Sequence, residues 1–180
     1  MMSEDKIIEG CIAGNRKAQK VLFDTYKSSV MGVCLRYCKS KDEAEDVLMM
    51  AFMTVLSEIH SFRKESSLNS WIRRIVVNTA INNYRKNLKH YFHSDIDETS
   101  EIDIEGGDNF QIDESHSADA ILKVMQDLPE GYRMVLNLYI VEGYKHKEIA
   151  EMLGINVGTS KSQLSKARKI IQEKLQDNRK

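Results

Sequence analysis

KHKEIAEMLGINVGTSKSQLSKARKI, residues 145–170, is the stretch from which the fold can be read. Apolar residues at helical spacing predict one helix from Lys145 to Leu153 and another from Val157 to Leu175. Gly154-Ile155-Asn156 joins them. Gly154 suits a left-handed turn, and the small Ala150 lets the next helix come close, so the pair reads as a helix-turn-helix. On the second helix Leu164, Ala167, Ile171 and Leu175 face inward. Ser162, Ser165, Lys166 and Lys169 face outward, with Lys161 at one edge. A helix set after a sharp turn can enter the major groove by its N-terminal end. Lys neutralises phosphates or reaches guanine acceptors there, and Ser lets the backbone approach and donates to either target. The alternative is a plain solvated face.

Upstream, two more helices are expected, from Ser117 to Asp127 and from Pro129 to Val141. Pro129 is placed at a first helical position, where its missing N–H costs nothing. Before them lies an acidic strip. Residues 93–119 carry 10 acidic and no basic groups, net −10, although the whole chain has net charge −1. Residues 1–92 carry 15 basic and 10 acidic groups, and residues 120–180 carry 11 and 7, so the strip separates two mildly basic blocks. It has no helical apolar period and contains Gly106–Gly107, which predicts a linker over residues 93–116.

The first block also reads as four helices: Asp5 to Ala13, Asn15 to Cys38, Ser40 to Ile59, and Ser67 to Leu88. Gly14 ends the first and Asn15 caps the second. Ser40-Lys41-Asp42-Glu43 is a capping box. Ala44, Val47, Leu48, Ala51, Phe52, Val55, Leu56 and Ile59 form one buried stripe on the third helix. Met50 and Met53 fall on its opposite side, with Met49 on the flank. Two readings are open: a wider helix contact within the domain, or a surface for another protein, since Met adapts to irregular partners. The loop and fourth helix, FRKESSLNSWIRRIVVNTAINNYRKN (62–87), set Asn78, Asn82 and Arg85 along one helical line, with Phe62 and Trp71 bracketing the loop. Amides, cations and stackable rings suit single-stranded or opened DNA. Trp71 alone also reads as a core residue.

The fold class expected is all-α, in two small helical domains joined by the acidic linker. The chain has 180 residues, 42% hydrophobic and 29% charged. Its start, MMSEDKIIEG, lacks a basic segment followed by an apolar core, so no signal peptide is expected and the cytoplasm is the expected location. Cys11, Cys34 and Cys38 are expected as reduced, packed residues rather than a disulfide framework. His90 and His93 lack partners for a metal site, and no metal or other cofactor is expected. Glu45 and Asp46 point about 100° apart on a helix and do not face one substrate. With no phosphate-cradling loop or nucleophile elbow either, no enzyme activity and no small-molecule substrate are expected.

These segments together resemble the extracytoplasmic-function sigma factors of bacterial RNA polymerase. EAEDVLMMAF (43–52) is similar to the family's polymerase-binding helix, residues 62–87 to its −10 promoter segment, and LPEGYRMVLNLYIVEGYKHKEIAEMLGINVGTSKSQLSKAR (128–168) to its −35 domain. The resemblance implies a first domain, 1–92, that binds the β′ clamp helices of core polymerase through Asp46, Met49, Met50 and Met53. That domain would also nucleate promoter melting on the −10 strand. The loop residues Phe62, Arg63, Ser66 and Ser67, with Trp71, would hold a flipped base, and Asn78, Asn82 and Arg85 would touch the strand, against an unstacking cost of a few kcal/mol. It implies a second domain, 117–180, that reads −35 duplex through Thr159, Lys161, Ser162, Ser165, Lys166 and Lys169. Promoter DNA and core polymerase are the implied partners, an anti-sigma factor is a further one, and the free chain is expected to be a monomer. Two departures stand out. Met49 and Met50 replace the family's usual Gln and acidic residue, and Ser160 replaces an inward hydrophobic residue. Ser160 is expected either to bond back to a carbonyl one turn earlier or to be a tolerated small polar group. The competing class is a dimeric LuxR-like regulator reading a two-fold site, which gives the −10-like segment no role.

Overall fold

The computed structural model describes residues 3–91 and 117–177. The expected linker 93–116 and His93 lie outside the described residues, as does any side-chain contact of His90. Among the described residues all regular structure is helical, as expected: α1 (Glu4–Ile12), α2 (Arg16–Tyr37), α3 (Lys41–Glu58), α4 (Leu68–Tyr91), α5 (Ala118–Gln126), α6 (Glu130–Leu136), α7 (His146–Leu153) and α8 (Val157–Asp177). A 3-10 turn, Ile59–Ser61, extends α3, and a π turn, Asn137–Val141, extends α6. No helix among the described residues is long and apolar enough to cross a membrane. Contacts separate two compact units, one running to Leu35 and resuming over Ser40–Ala80, the other made of Arg36–Lys39 and the described residues from Ile81 onward.

In the first unit, Gly14 ends α1 and the Asn15 carboxamide accepts from the Lys17 N–H at 2.9 Å and the Ala18 N–H at 3.2 Å, which starts α2. A Cβ on Gly10 would lie 2.5 Å from Ala18 Cβ, so α1 crosses α2 where only a glycine fits. Ser40 Oγ accepts from the Glu43 N–H at 3.2 Å, the capping half of the expected box. Ala44, Val47, Ala51 and Val55 of α3 are fully buried, and Phe52 meets Phe23 of α2 edge-on at 4.8 Å. Leu56, predicted on the same stripe, is only half-buried. Leu68, Ile72 and Val76 line the inner face of α4. Each such side chain contributes about 1.5–3 kcal/mol by leaving water.

In the second unit, α8 is the central strut and packs on α5, α6 and α7. Ser117 Oγ caps α5. Pro129 takes the N-cap of α6, one residue earlier than expected, because its extended ψ of 143° lies outside the helical range. Arg133 is 2% exposed, and its Nη1 donates to the carbonyls of Gln126 and Leu128 at 3.0 and 2.9 Å, closing the α5–α6 turn from inside. A buried guanidinium is tolerable only when its donors are used in this way. Gly154 has φ +70° and donates its N–H to the Ala150 carbonyl at 2.9 Å, the left-handed stop expected between α7 and α8. Cys11, Cys34 and Cys38 are all buried, and burial pushes the Cys11 thiol pKa up. Among the described residues no group of His, Cys, Asp and Glu is placed to hold a metal ion.

Candidate polymerase and nucleic-acid interfaces

The first turn of α8 is built by Asn156. Its carboxamide oxygen accepts from the Thr159 N–H at 2.6 Å, and the neighbouring Gly158 leaves room, since a Cβ there would sit 3.2 Å from that oxygen. Leu164, Ala167, Ile171 and Leu175 are buried as expected. Lys161, Lys166 and Lys169 are exposed on the other side, with Thr159, Ser162 and Ser165 half-buried among them. The six predicted duplex-reading residues therefore share one side of one helix. Ser162 Oγ donates to the Thr159 carbonyl at 3.0 Å, so its hydroxyl proton is already used and its lone pairs remain for a donor.

Ser160 is fully buried on the inner side of the same turn. Its partner is not a carbonyl one turn earlier, the bond that was one of the two expectations. Its Oγ lies 2.9 Å from Nδ1 of His146, fourteen residues upstream at the start of α7. His146 in turn stacks on Tyr139 of the π turn, with ring centres 4.6 Å apart and planes at 22°. Burial, then the positive Lys161 and Arg168, push the His146 pKa below its usual value. Sequence reasoning missed His146. The available signal was a polar residue at an inward helix position, which demands a buried partner.

On α4, Asn78, Asn82 and Arg85 are exposed on one line, as predicted. Arg74 and half-buried Trp71 continue that line toward the N-terminus of the helix. Trp71 packs against Phe62 with ring centres 5.3 Å apart, so the two rings close the base of the loop between them. Arg63 and Ser66 are exposed at its tip. Ser67 is committed to structure: its Oγ caps α4 by accepting from the Ser70 N–H at 3.2 Å and meets Ser70 Oγ at 2.8 Å. Sequence reasoning also missed Lys64, which holds φ +59°, a conformation that costs an ordinary side chain about 1–2 kcal/mol. Its ammonium pairs with Asp5 of α1, tying the loop to the N-terminal helix.

The methionines of α3 are exposed on the side opposite the buried stripe. Met49, Met50 and Met53 are 54%, 41% and 71% exposed, and exposed Asp46 stands one turn before Met50. These four positions follow the i, i+3, i+4, i+7 spacing of a single face, opposite the buried stripe. The wider helix contact inside the domain, the alternative open from the sequence, does not cover them.

Residues 22–89 match the family Sigma-70 region 2, and residues 118–171 match Sigma-70, region 4. The chain is similar to an ECF RNA polymerase sigma-E factor of Haemophilus influenzae, 28% identical with 97% of this chain and 96% of the relative covered. It is also similar to the ECF RNA polymerase sigma-E factor of Escherichia coli K12, 29% identical with 97% and 95% covered. Among solved structures it is similar to the sigma factor RpoE in complex with the anti-sigma factor NepR from Bartonella quintana. That match is 23% identical, covers 87% of this chain and 96% of the other, and has a TM-score of 0.49. With both matched regions in order along the chain, and relatives spanning nearly its whole length, the chain belongs to the extracytoplasmic-function sigma factors of the sigma-70 family.

Proposed function

We propose a division of labour between two domains, residues 1–92 and 117–180, joined by the acidic linker 93–116. The first binds core RNA polymerase at the β′ clamp helices through the Asp46, Met49, Met50 and Met53 face of α3. Its loop from Phe62 to Ser66 takes a flipped base of the −10 element, and Asn78, Asn82 and Arg85 follow the unpaired strand. The second lays α8 in the major groove of the −35 element, with Thr159, Lys161, Ser162, Ser165, Lys166 and Lys169 toward the DNA. The polymerase performs the chemistry, so the chain acts in the cytoplasm as a specificity and melting factor and not as an enzyme.

The observation that carries this reading is the exposed four-residue face of α3, three of its members methionines, within the segment that matches region 2. A soluble helix has no packing use for such a face, and a protein partner would remove it from water. Ser67 is better assigned to capping α4 than to DNA, because its hydroxyl is occupied. The test is reconstitution: purified core polymerase with this chain, assayed by run-off transcription on genomic fragments. Start-site selection that core polymerase lacks alone is expected. A chain that neither co-elutes with core polymerase nor confers selection rejects the reading.

A further inference from the structure

Ser160 lies between Thr159 and Lys161, two side chains of the DNA-facing side of α8, yet it is fully buried. Apolar packing by Leu164, Ala167 and Ile171 holds the helix against the unit but is non-directional. A hydrogen bond is directional, and a buried hydroxyl is costly when its geometry is lost. The Ser160–His146 bond at 2.9 Å therefore resists rotation of α8 about its own axis. The imidazole is itself held by stacking on Tyr139, ring centres 4.6 Å apart. Tyr139 is then tied back to α8, because the Arg168 guanidinium stands 5.7 Å from its ring centre. The path leaves α8 in its first turn and rejoins it two turns later. Two points on one helix fix its rotation, and rotation decides which side chains meet base edges.

We propose that His146 is a positioning residue for duplex reading: together with Tyr139 it holds α8 at Ser160 and Arg168 and so sets the rotation of the helix in the groove. The inference rests on the assignment of α8 as the duplex-reading helix. Phosphate contacts by Lys tolerate a small rotation, because a flexible ammonium follows the backbone; base contacts do not. Loss of the bond is thus a loss of discrimination more than of affinity.

The experiment compares wild-type holoenzyme with His146→Phe, which keeps the stack and removes the bond, with Ser160→Ala, and with the double variant. The probes are −35 duplexes enriched from genomic DNA by the wild-type holoenzyme, together with their single-base variants. Each single variant is expected to lose about tenfold in preference for the enriched sequence while non-specific affinity and its salt dependence stay as in wild type. The double variant is expected to be no worse than either single one, since both remove the same bond. Ser160→Val, which fills the site with an apolar group, gives the same readout if Ser160→Ala fails to fold. Retained discrimination in all variants, or an equal loss of specific and non-specific binding in step with thermal stability, overturns the proposal. A wild-type holoenzyme without any duplex preference instead defeats the assignment of α8, and the inference with it.

Discussion

His146 Nδ1 and Ser160 Oγ lie 2.9 Å apart, joining the first turn of α7 to the first turn of α8 across the helix-turn-helix. Burial and the positive Lys161 and Arg168 lower the His146 pKa, so the folded state prefers the neutral ring. In the window between the lowered value and the ordinary value of about 6.5 the unfolded chain binds more protons. Stability is then complete above the ordinary value and falls as pH drops through the lowered one. Melting temperature recorded from neutral to mildly acidic pH is expected to fall more steeply in wild type than in His146→Phe.

The methionine face predicts a separable defect. Met50→Glu combined with Met53→Glu should weaken capture by core polymerase about thirtyfold, the loss of an interface anchor worth about 2 kcal/mol. Both side chains are exposed in the free chain, so its melting temperature should hold. Co-elution titrations and a thermal scan check the two halves.

On α4, Asn78→Ala and Asn82→Ala are expected to weaken binding of holoenzyme to a single-stranded −10 oligonucleotide about fivefold each, the worth of one hydrogen bond near 1 kcal/mol. Affinity for −35 duplex should not change. Both residues are exposed, so the effect is not one of folding.

Asn156 stabilises the start of α8. Its carboxamide caps α8 at 2.6 Å, and Asn156→Ala should cost about 1 kcal/mol in chemical denaturation of the chain.

The ten acids of residues 93–119 have no basic residue among them, and a screening role for them can be tested. Replacing them with their amides should raise the affinity of the free chain for promoter duplex at fixed salt. Filter binding at two salt concentrations measures it, and an unchanged affinity rejects a screening role.

Features that repeat within a turn or two of helix were legible from residue order alone. The buried stripe of α3, the Gly154 stop, the Asn15 cap and the exposed line through Asn78, Asn82 and Arg85 follow from spacing within a turn or two, because a helix repeats its neighbours at fixed offsets. The family resemblance was legible for the same reason, as ordered local motifs. The pairings that depended on packing join residues well separated in the chain: His146 as the partner of Ser160 and Asp5 as the anchor of Lys64. Each is a buried or strained polar group whose need for a partner shows in its residue type and position. Which partner answers depends on how helices pack, and no sequence period encodes that distance.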